Sequence, residues 1–436
     1  MILSINIKEV MAMERMVIMV VMMVSLFISP NYVLAFPFPD TGQTECYNID
    51  LDGQIQCPQP GSEFYGQDAQ YAGLARSYTK LGNGGVELPD TATQASGWIM
   101  TRDNVTNRIW EIKTNANKND KYNWNNAQNV FIAQMNQQNH GGFSDWRLPT
   151  ARELASLVNF SIPYPGPTID TDWFPLTGAD YYWTSTPWGT STNSVFTVYF
   201  AGASISNKPI SDTYYVRAVR GSQFDRKALS DNGDGTVTDP NTGLMWQKEN
   251  PFKKQIMWQQ ALAYAEDLEL AGYPDWRLPD INELQTLVDY SRYYPAIDPL
   301  LADDTEGKYW SSTTYPLYSN RAFCVTFYYG NVMDSIKDDF YESNLSYVRA
   351  VRGKQVKNDL SDQEKANILF NWVESILPDL FPSGPENQTL NGIIYRYYSQ
   401  TNVYLATYVG DLYYIDQILE VFNIGSVDYW LSVING

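Results

Sequence analysis

Apolar residues in this 436-residue chain fall at two spacings, and both spacings recur once along it. Leu154, Leu157 and Val158 stand at i, i+3 and i+4 behind Thr150 and Glu153. Leu284, Leu287 and Val288 repeat the arrangement behind Asp280 and Glu283. Each set predicts a short amphipathic helix opened by a capping box, in which the cap side chain and the acid three residues later satisfy each other's backbone N–H. Pro149 and Pro279 keep either helix from starting earlier. Residues 124–135 and 258–271 also have helical periodicity, and Gly142 and Gly272 follow them as terminators. Between and after these helices the period falls to two. VFTVYF (195–200) and AFCVTFYYG (322–330) read as strands, and 237–248 reads as a hairpin turning near Asn241-Thr242-Gly243 with Trp246 inward. The closing segments TYYVRAVRG and SYVRAVRG read as strands too. Alternation places Val216, Ala218 and Arg220 on one face and Tyr215, Arg217 and Val219 on the other.

The two sets of elements are copies. DWRLPT at 145–150 returns as DWRLPD at 275–280, YYWTST at 181–186 as KYWSST at 308–313, and YVRAVRG at 215–221 unchanged at 347–353. More loosely, 106–110 matches 242–246, and Trp124 with Ala127 matches Trp258 with Ala261. The offsets of 127 to 136 describe a tandem duplication of an α+β domain, over 98–224 and 225–356. A unit of that length is large enough to hold its own core.

What flanks the copies is of a different kind. Residues 16–28 are a 13-residue apolar run, too short for the roughly 20 residues of a spanning helix. Pro30 breaks the run, and Val33-Leu34-Ala35 supplies a small-residue cleavage pattern. This reads as a signal peptide over 1–35, the other reading being an uncleaved anchor, and no transmembrane segment is expected after its removal. Export favours disulfides. Cys46 and Cys57, ten turn-forming residues apart, are expected to pair within a leader over 36–97. Cys324 reads as a small buried hydrophobe. Residues 357–436 are expected to form a further small α+β module, with a capped helix over 360–381 and three strands within 393–415, and its aromatics read as core.

Composition narrows the function. The chain has 49 acidic against 30 basic residues, a formal charge of −19, which repels phosphate backbones and anionic lipid and excludes nucleic acid as a partner. One histidine and three cysteines exclude multi-histidine metal sites and cysteine-rich zinc modules. Thirty-two tyrosines and 13 tryptophans suit an aromatic-packed fold or a carbohydrate-facing surface. Asp231, Asp234 and Asp239 in DNGDGTVTD make calcium a candidate cofactor. An EF-hand loop is excluded because Gly233 and Gly235 occupy its third and fifth positions. A shallow calcium site of another geometry and a tight hairpin turn are the two readings left. His140 has no counterpart in the second copy, which argues against a catalytic triad. Asp145 with Arg147, and Asp275 with Arg277, read as ion-paired structural groups. Arg217, Arg220, Arg349 and Arg352 are expected to meet buried acids or carbonyls. No carboxylate pair stands out as a glycosidase would require, so no catalytic residue is assigned.

The pattern DNGDGTVTDPNTGLMWQK…DWRLP…YWSST…YVRAVRG at 231–353 resembles the Lcl C-terminal-domain family, and residues 98–222 resemble it in a more diverged form. The leader and the carboxyl-terminal module resemble segments of other exported bacterial proteins. The resemblance implies a secreted or surface protein without assigned enzymatic activity, since the adhesin that names the family is linked to glycan and host-surface attachment. RLPT-x-x-E entering a helix also resembles, more remotely, the C-type-lectin-like fold. That implies two tandem C-type-lectin-like domains, but the sugar-binding signatures of calcium-dependent lectins and the cysteines of the sulfatase-modifying group are absent. Cysteines common in the family near Ala265 and Ala350 are absent too, which leaves Cys324 without an obvious partner. Loops carry recognition in such folds, so the implied ligand-binding residues are Tyr181, Tyr182, Trp188 and Asn193 in the first copy. Tyr315, Tyr318, Asn320 and Arg321 are those of the second. The competing reading makes Trp183 and Trp310 core anchors that these neighbours cover. The expectation is a secreted, cell-surface or periplasmic non-catalytic binding or adhesion protein, with an extracellular glycan or surface protein as partner. The alternatives are a structural component of a matrix or surface layer and, with least support, a polysaccharide hydrolase.

Overall fold

The computed structural model describes residues 37–50, 53–223, 226–250, 252, 255–301, 307–338, 345–353 and 356–357. All of them fall in one unit, Phe36–Asn358. The signal run at 16–28 and the module over 358–436 lie outside the described residues.

The leader opens with a hairpin of β1 (Cys46–Tyr47) and β2 (Gln54–Ile55), stapled by the Cys46–Cys57 disulfide. After β3 (Tyr71–Ala72) come β4 (Tyr78–Leu81) and β5 (Glu87–Leu88). These two pair into the first copy's own sheet with β6 (Met100–Asp103), β7 (Arg108–Glu111) and the closing strand β11 (Val219–Arg220). The second copy builds the matching sheet from β12 (Ser230–Asp231), β13 (Thr236–Thr238), β14 (Met245–Gln247) and β18 (Val351–Arg352). Trp110 and Trp246 occupy the same place in both sheets and are fully buried.

The helices start where the sequence pattern puts them, but three of the four end early, the two capped ones before Leu157 and Leu287. Helix α1 runs in three stretches, Trp124–Asn126, a wider Ala127–Ile132 and Ala133–Gln137, and buries Ala127, Phe131, Ile132 and Met135. Helix α2 (Ala151–Ala155) and helix α4 (Ile281–Thr286) carry the expected boxes. The Glu153 carboxylate accepts from Thr150 N at 2.8 Å, and that of Glu283 from Asp280 N at 3.0 Å. Helix α3 (Trp258–Glu266) stops short of residue 271. Leu270 and Tyr273 bridge instead across a turn in which Ala271 and Gly272 both have positive φ.

After its second helix each copy forms a three-stranded meander: β8 (Tyr181–Pro187), β9 (Ser194–Tyr199) and β10 (Ser204–Pro209), then β15 (Lys308–Thr314), β16 (Arg321–Thr326) and β17 (Asn331–Ile336). β10 and β17 pair antiparallel through Ile205 and Val332, so one six-stranded sheet runs β15-β16-β17-β10-β9-β8. Ile205 and Val332 are the same position in the two copies. An antiparallel pair between equivalent residues lies on a local two-fold axis, as in the self-complementary interface of a symmetric dimer. Ring contacts obey that symmetry. Phe160 of the first copy meets Phe323 of the second edge-on at 4.9 Å, and Tyr290 of the second meets Phe196 of the first at 4.9 Å. One apolar core therefore spans both copies, while each copy also keeps a private cluster, around Trp146 and Trp183 in the first and Trp276 and Trp310 in the second.

The leader is wedged against both copies. Thr41 O accepts from Phe160 N, and Pro39 O accepts from Asn282 Nδ2 at 2.8 Å. Asp68 is buried and accepts from the hydroxyls of Thr41 at 3.0 Å and Thr313 at 2.5 Å. Burial, with Asp40 and Glu283 nearby, pushes the Asp68 carboxyl up to about 8, and burial raises Asp280 beside it as well. A carboxyl whose folded pKa is raised contributes stability that is fully present below its unfolded pKa and is lost as pH rises through the folded one. Stability is therefore expected to fall between about pH 4 and pH 8, and Asp68→Asn is expected to flatten that slope in urea titrations at several pH values. An unchanged slope would remove Asp68 as its source.

Candidate functional site

Both DWRLP segments are scaffold. Arg277 clasps Glu283 through both terminal nitrogens, at 2.5 and 2.6 Å, and donates to Gly353 O. Arg147 does the same with Glu153, at 2.7 Å each, and with Gly221 O. The sequence expectation of Asp145–Arg147 and Asp275–Arg277 pairs is corrected here. In a strand, neighbours two apart lie on one face, but each of these segments bends into a helix whose own N3 glutamate is nearer the arginine. The aspartates pair instead with Arg220 and Arg352 of the closing strands, both at 2.8 Å, near the surface rather than buried. Arg217 and Arg349 are buried and donate to carbonyls, those of Glu111 and Gln247 among them. Leu148 and Leu278 are buried as expected.

Of the residues implied as ligand-binding, Tyr182 is corrected to core. It is fully buried, its hydroxyl accepts from Gly178 N at 3.0 Å, and burial pushes its pKa up to about 12. Strand alternation sends its side chain into the core shared by both copies, and Trp183 beside it into the first copy's own cluster. Trp183 and Trp310 are both core, their indole N–H groups donating to Tyr122 O and Ile256 O. Tyr181 lies at the far end of β8 from Trp188 and Asn193, so the first-copy residues do not form one patch. Its ring stacks on Tyr199 at 4.3 Å with Lys208 Nζ over it at 4.1 Å. Asn193 is exposed. In the second copy, Tyr315 and Tyr318 sit 6.1 Å apart, Arg321 is paired with Asp334, and the Asn320 carbonyl accepts from Lys337 N. Tyr318 is 47% exposed.

The loops carrying Trp188 and Tyr315, equivalent residues, each reach over the opposite copy. Trp188 packs against Tyr293 at 5.9 Å and Tyr329 at 5.3 Å, and Tyr293 lies near-parallel to Tyr329 at 5.4 Å. Gly189 makes this approach feasible: it has φ +55°, and a Cβ there would fall 2.0 Å from the Tyr293 ring. Tyr294 meets Tyr328 edge-on at 4.0 Å. Tyr293 and Tyr294 are 40% and 50% exposed, so this five-ring cluster faces solvent. Beside it opens a cavity of about 450 Å³ lined by Gln255, Lys308, Thr326, Tyr328, Tyr329 and Asn331. Asn331 Oδ1 is shielded from solvent and has no hydrogen-bond donor among the described residues. Four of the five rings were missed from the sequence. The signal was there, since copy two reads SRYYPA and FYYG where copy one reads SIPYPG and FAGA.

The three candidate calcium ligands do not converge. Asp231 pairs with Lys248 at 2.6 Å, Asp234 accepts from Thr236 N and Oγ1, and buried Asp239 accepts from Asn241 and Thr242. Each carboxylate shapes its own turn. Among the described residues, no group of three or more His, Cys, Asp or Glu side chains is placed to hold a metal ion. Cys324 is a buried free thiol, raised to about 12 by burial. No helix among the described residues is long and apolar enough to cross a membrane.

Fold and site together define a duplicated, sheet-rich α+β protein with short capped helices and an aromatic seam where its halves meet. The sequence model of the Lcl C-terminal domain matches residues 99–220 and again 235–352, and the chain belongs to that family. No curated protein sequence matches the chain.

Proposed function

We propose that this is an exported, non-catalytic binding protein of the cell surface whose aromatic seam takes a carbohydrate. The observation that carries the reading is the solvent-facing cluster of Trp188, Tyr293, Tyr294, Tyr328 and Tyr329, drawn from both copies. The largest side chains elsewhere in the described fold, Trp110, Trp183, Trp246 and Trp310 among them, are fully buried. Exposed ring faces stack on the C–H faces of a sugar, and the amides of Gln255 and Asn331 with the Thr326 hydroxyl supply the directional hydrogen bonds that such sites combine with apolar walls. A second, smaller aromatic pair, Tyr315 and Tyr318, occupies the equivalent loop of the other copy. The family's adhesin and the lectin-like resemblance are consistent with this reading, and a surface-layer component without a small ligand is its rival.

The test is a broad glycan array probed with the mature chain, with and without calcium, followed by Trp188→Ala with Tyr318→Ala. Discrete hits that free sugar competes away, weakened at least about tenfold in the double variant, are expected, since stacking on an aromatic ring is worth of order 1 kcal/mol or more. Unchanged attachment to cells and glycans in a folded double variant would eliminate this surface.

A further inference from the structure

The local two-fold axis gives every residue near the junction a counterpart, and one such comparison is unequal. A cavity of about 400 Å³ opens between the copies, lined by Thr150, Arg152 and Thr186 of the first copy, Tyr290 of the second, and Arg226 and Lys227 of the connection. Its symmetric counterpart, around Asp280, Asn282, Thr313 and Phe160, is filled by the leader. There Pro39 O accepts from Asn282 Nδ2, Thr41 O from Phe160 N at 2.8 Å, and Phe160 O from Gln43 Nε2, while the Asp68 carboxylate sits on the Thr313 hydroxyl.

We propose that the open cavity is a docking site for an extended acidic segment of a partner polypeptide, seated as residues 39–43 are seated in the counterpart. Three observations point to a peptide and to acidic character. The first is main-chain pairing. Tyr290 stands where Phe160 stands, and among the described residues its backbone N–H donates to no protein acceptor, whereas that of Phe160 pairs with the leader. The second is the hydroxyl. Thr186 takes the place of Thr313, and each Oγ1 accepts from the first backbone N–H of the neighbouring helix, Ala151 N on Thr186 and Ile281 N on Thr313. The third is charge. Arg152 replaces Asn282 and Thr150 replaces Asp280, two changes toward positive, against one in the other direction, Asp289 for Asn159.

Arg226 is common scaffold, because its guanidinium on Val288 O at 2.7 Å repeats that of Arg76 on Val158 O. Arg152 is the added group, donating to Val288 O at 2.7 Å and Thr286 O at 3.1 Å. Burial and the neighbouring Arg226 draw its pKa down to about 10, with Tyr290, Asp239 and Asp289 acting in the opposite direction. The acids of the lining are turned into their own loops: Asp289 accepts from Ser291 N and Oγ, and Asp298 from Leu300 N.

The probe is a synthetic peptide of residues 37–43, PFPDTGQ, with both ends blocked so that its aspartate is the one charge, titrated by calorimetry into the full chain. Saturable binding is expected, weakened about tenfold when the peptide carries asparagine in place of Asp40, as loss of a charge-assisted hydrogen bond implies. Arg152→Asn, which recreates the counterpart's residue, is expected to keep binding and abolish the preference between the two peptides. Arg152→Glu is expected to lose the acidic peptide. The Trp188/Tyr318 double variant is expected to bind the peptide unchanged, which separates this site from the aromatic seam. No saturation in the millimolar range, or equal affinity of the Arg152→Glu variant, overturns the proposal. Saturable binding of tri-galacturonate with none of either peptide overturns it in favour of an acidic sugar.

Discussion

Glutamine in place of Glu283 is expected to destabilise the protein by about 3–5 kcal/mol, the cost of leaving one member of a buried ion pair alone. Glu283 and Arg277 are both almost fully shielded, and the carboxylate receives two arginine nitrogens besides the Asp280 backbone N–H. Losing its charge leaves the guanidinium desolvated without its counter-ion and replaces one of the two acceptor oxygens with an amide that cannot accept, while the remaining oxygen can still serve the capping box of α4. Asp275→Asn removes an acid from an ion pair of similar length, yet that carboxylate is 54% exposed, and a change below about 1 kcal/mol is expected. Urea denaturation of the two variants side by side provides the measurement. Equal, small effects would mean that the arginine–glutamate clasp does not hold the DWRLP segment in place.

Alanine for Trp276 is expected to cost about 3–5 kcal/mol, in the range of large-to-small changes at full burial. The ring is 1% exposed within the cluster formed by Trp258, Leu262, Leu278, Trp310 and Cys324, and its indole N–H donates to Leu270 O at 3.2 Å. Trp146 repeats this, donating to His140 O at 2.9 Å, so both indoles use a backbone carbonyl that His140 and Leu270 supply alike, with the His140 ring also meeting that of Trp146 edge-on. The thermal midpoint and urea midpoint of Trp276→Ala should both drop. A cost under about 1 kcal/mol together with lost ligand binding would move Trp276 from core to recognition surface.

The duplication, the capping boxes and the antiparallel strands were legible because each is written locally, in cap-plus-acid spacing or in a period of two. The disulfide was legible for the same reason, two cysteines around a turn. The choice of ion-pair partners was not. Asp145 sits two residues from Arg147, and only the fold shows that Glu153 takes the arginine while the aspartate reaches Arg220. Nor could the sequence show that Ile205 meets Val332, since ordinary β-branched residues on an edge strand carry no mark of what they pair with. The site followed that limit. Trp188 was named from its loop, but Tyr293 and Tyr329 reach it from the other copy, across a junction that local pattern does not encode. Tyr182 was misplaced because a run of two tyrosines and a tryptophan hides which members point inward until the register is known.

The β10–β17 pairing has a consequence for how the protein changes over time. In a dimer of identical chains, a substitution at the contact appears on both sides of the axis at once, so each side must remain compatible with its own image. Here both sides belong to one polypeptide, and the linkage keeps them together at an effective concentration on the order of millimolar whatever the dilution. A change on one side is then made once. The two sides of the junction are free to drift apart in sequence while the strand pairing between them stays in register, as Arg152 and Asn282, or Gly202 and Tyr329, already have. Two halves joined in one chain can therefore hold two different surfaces at a single seam.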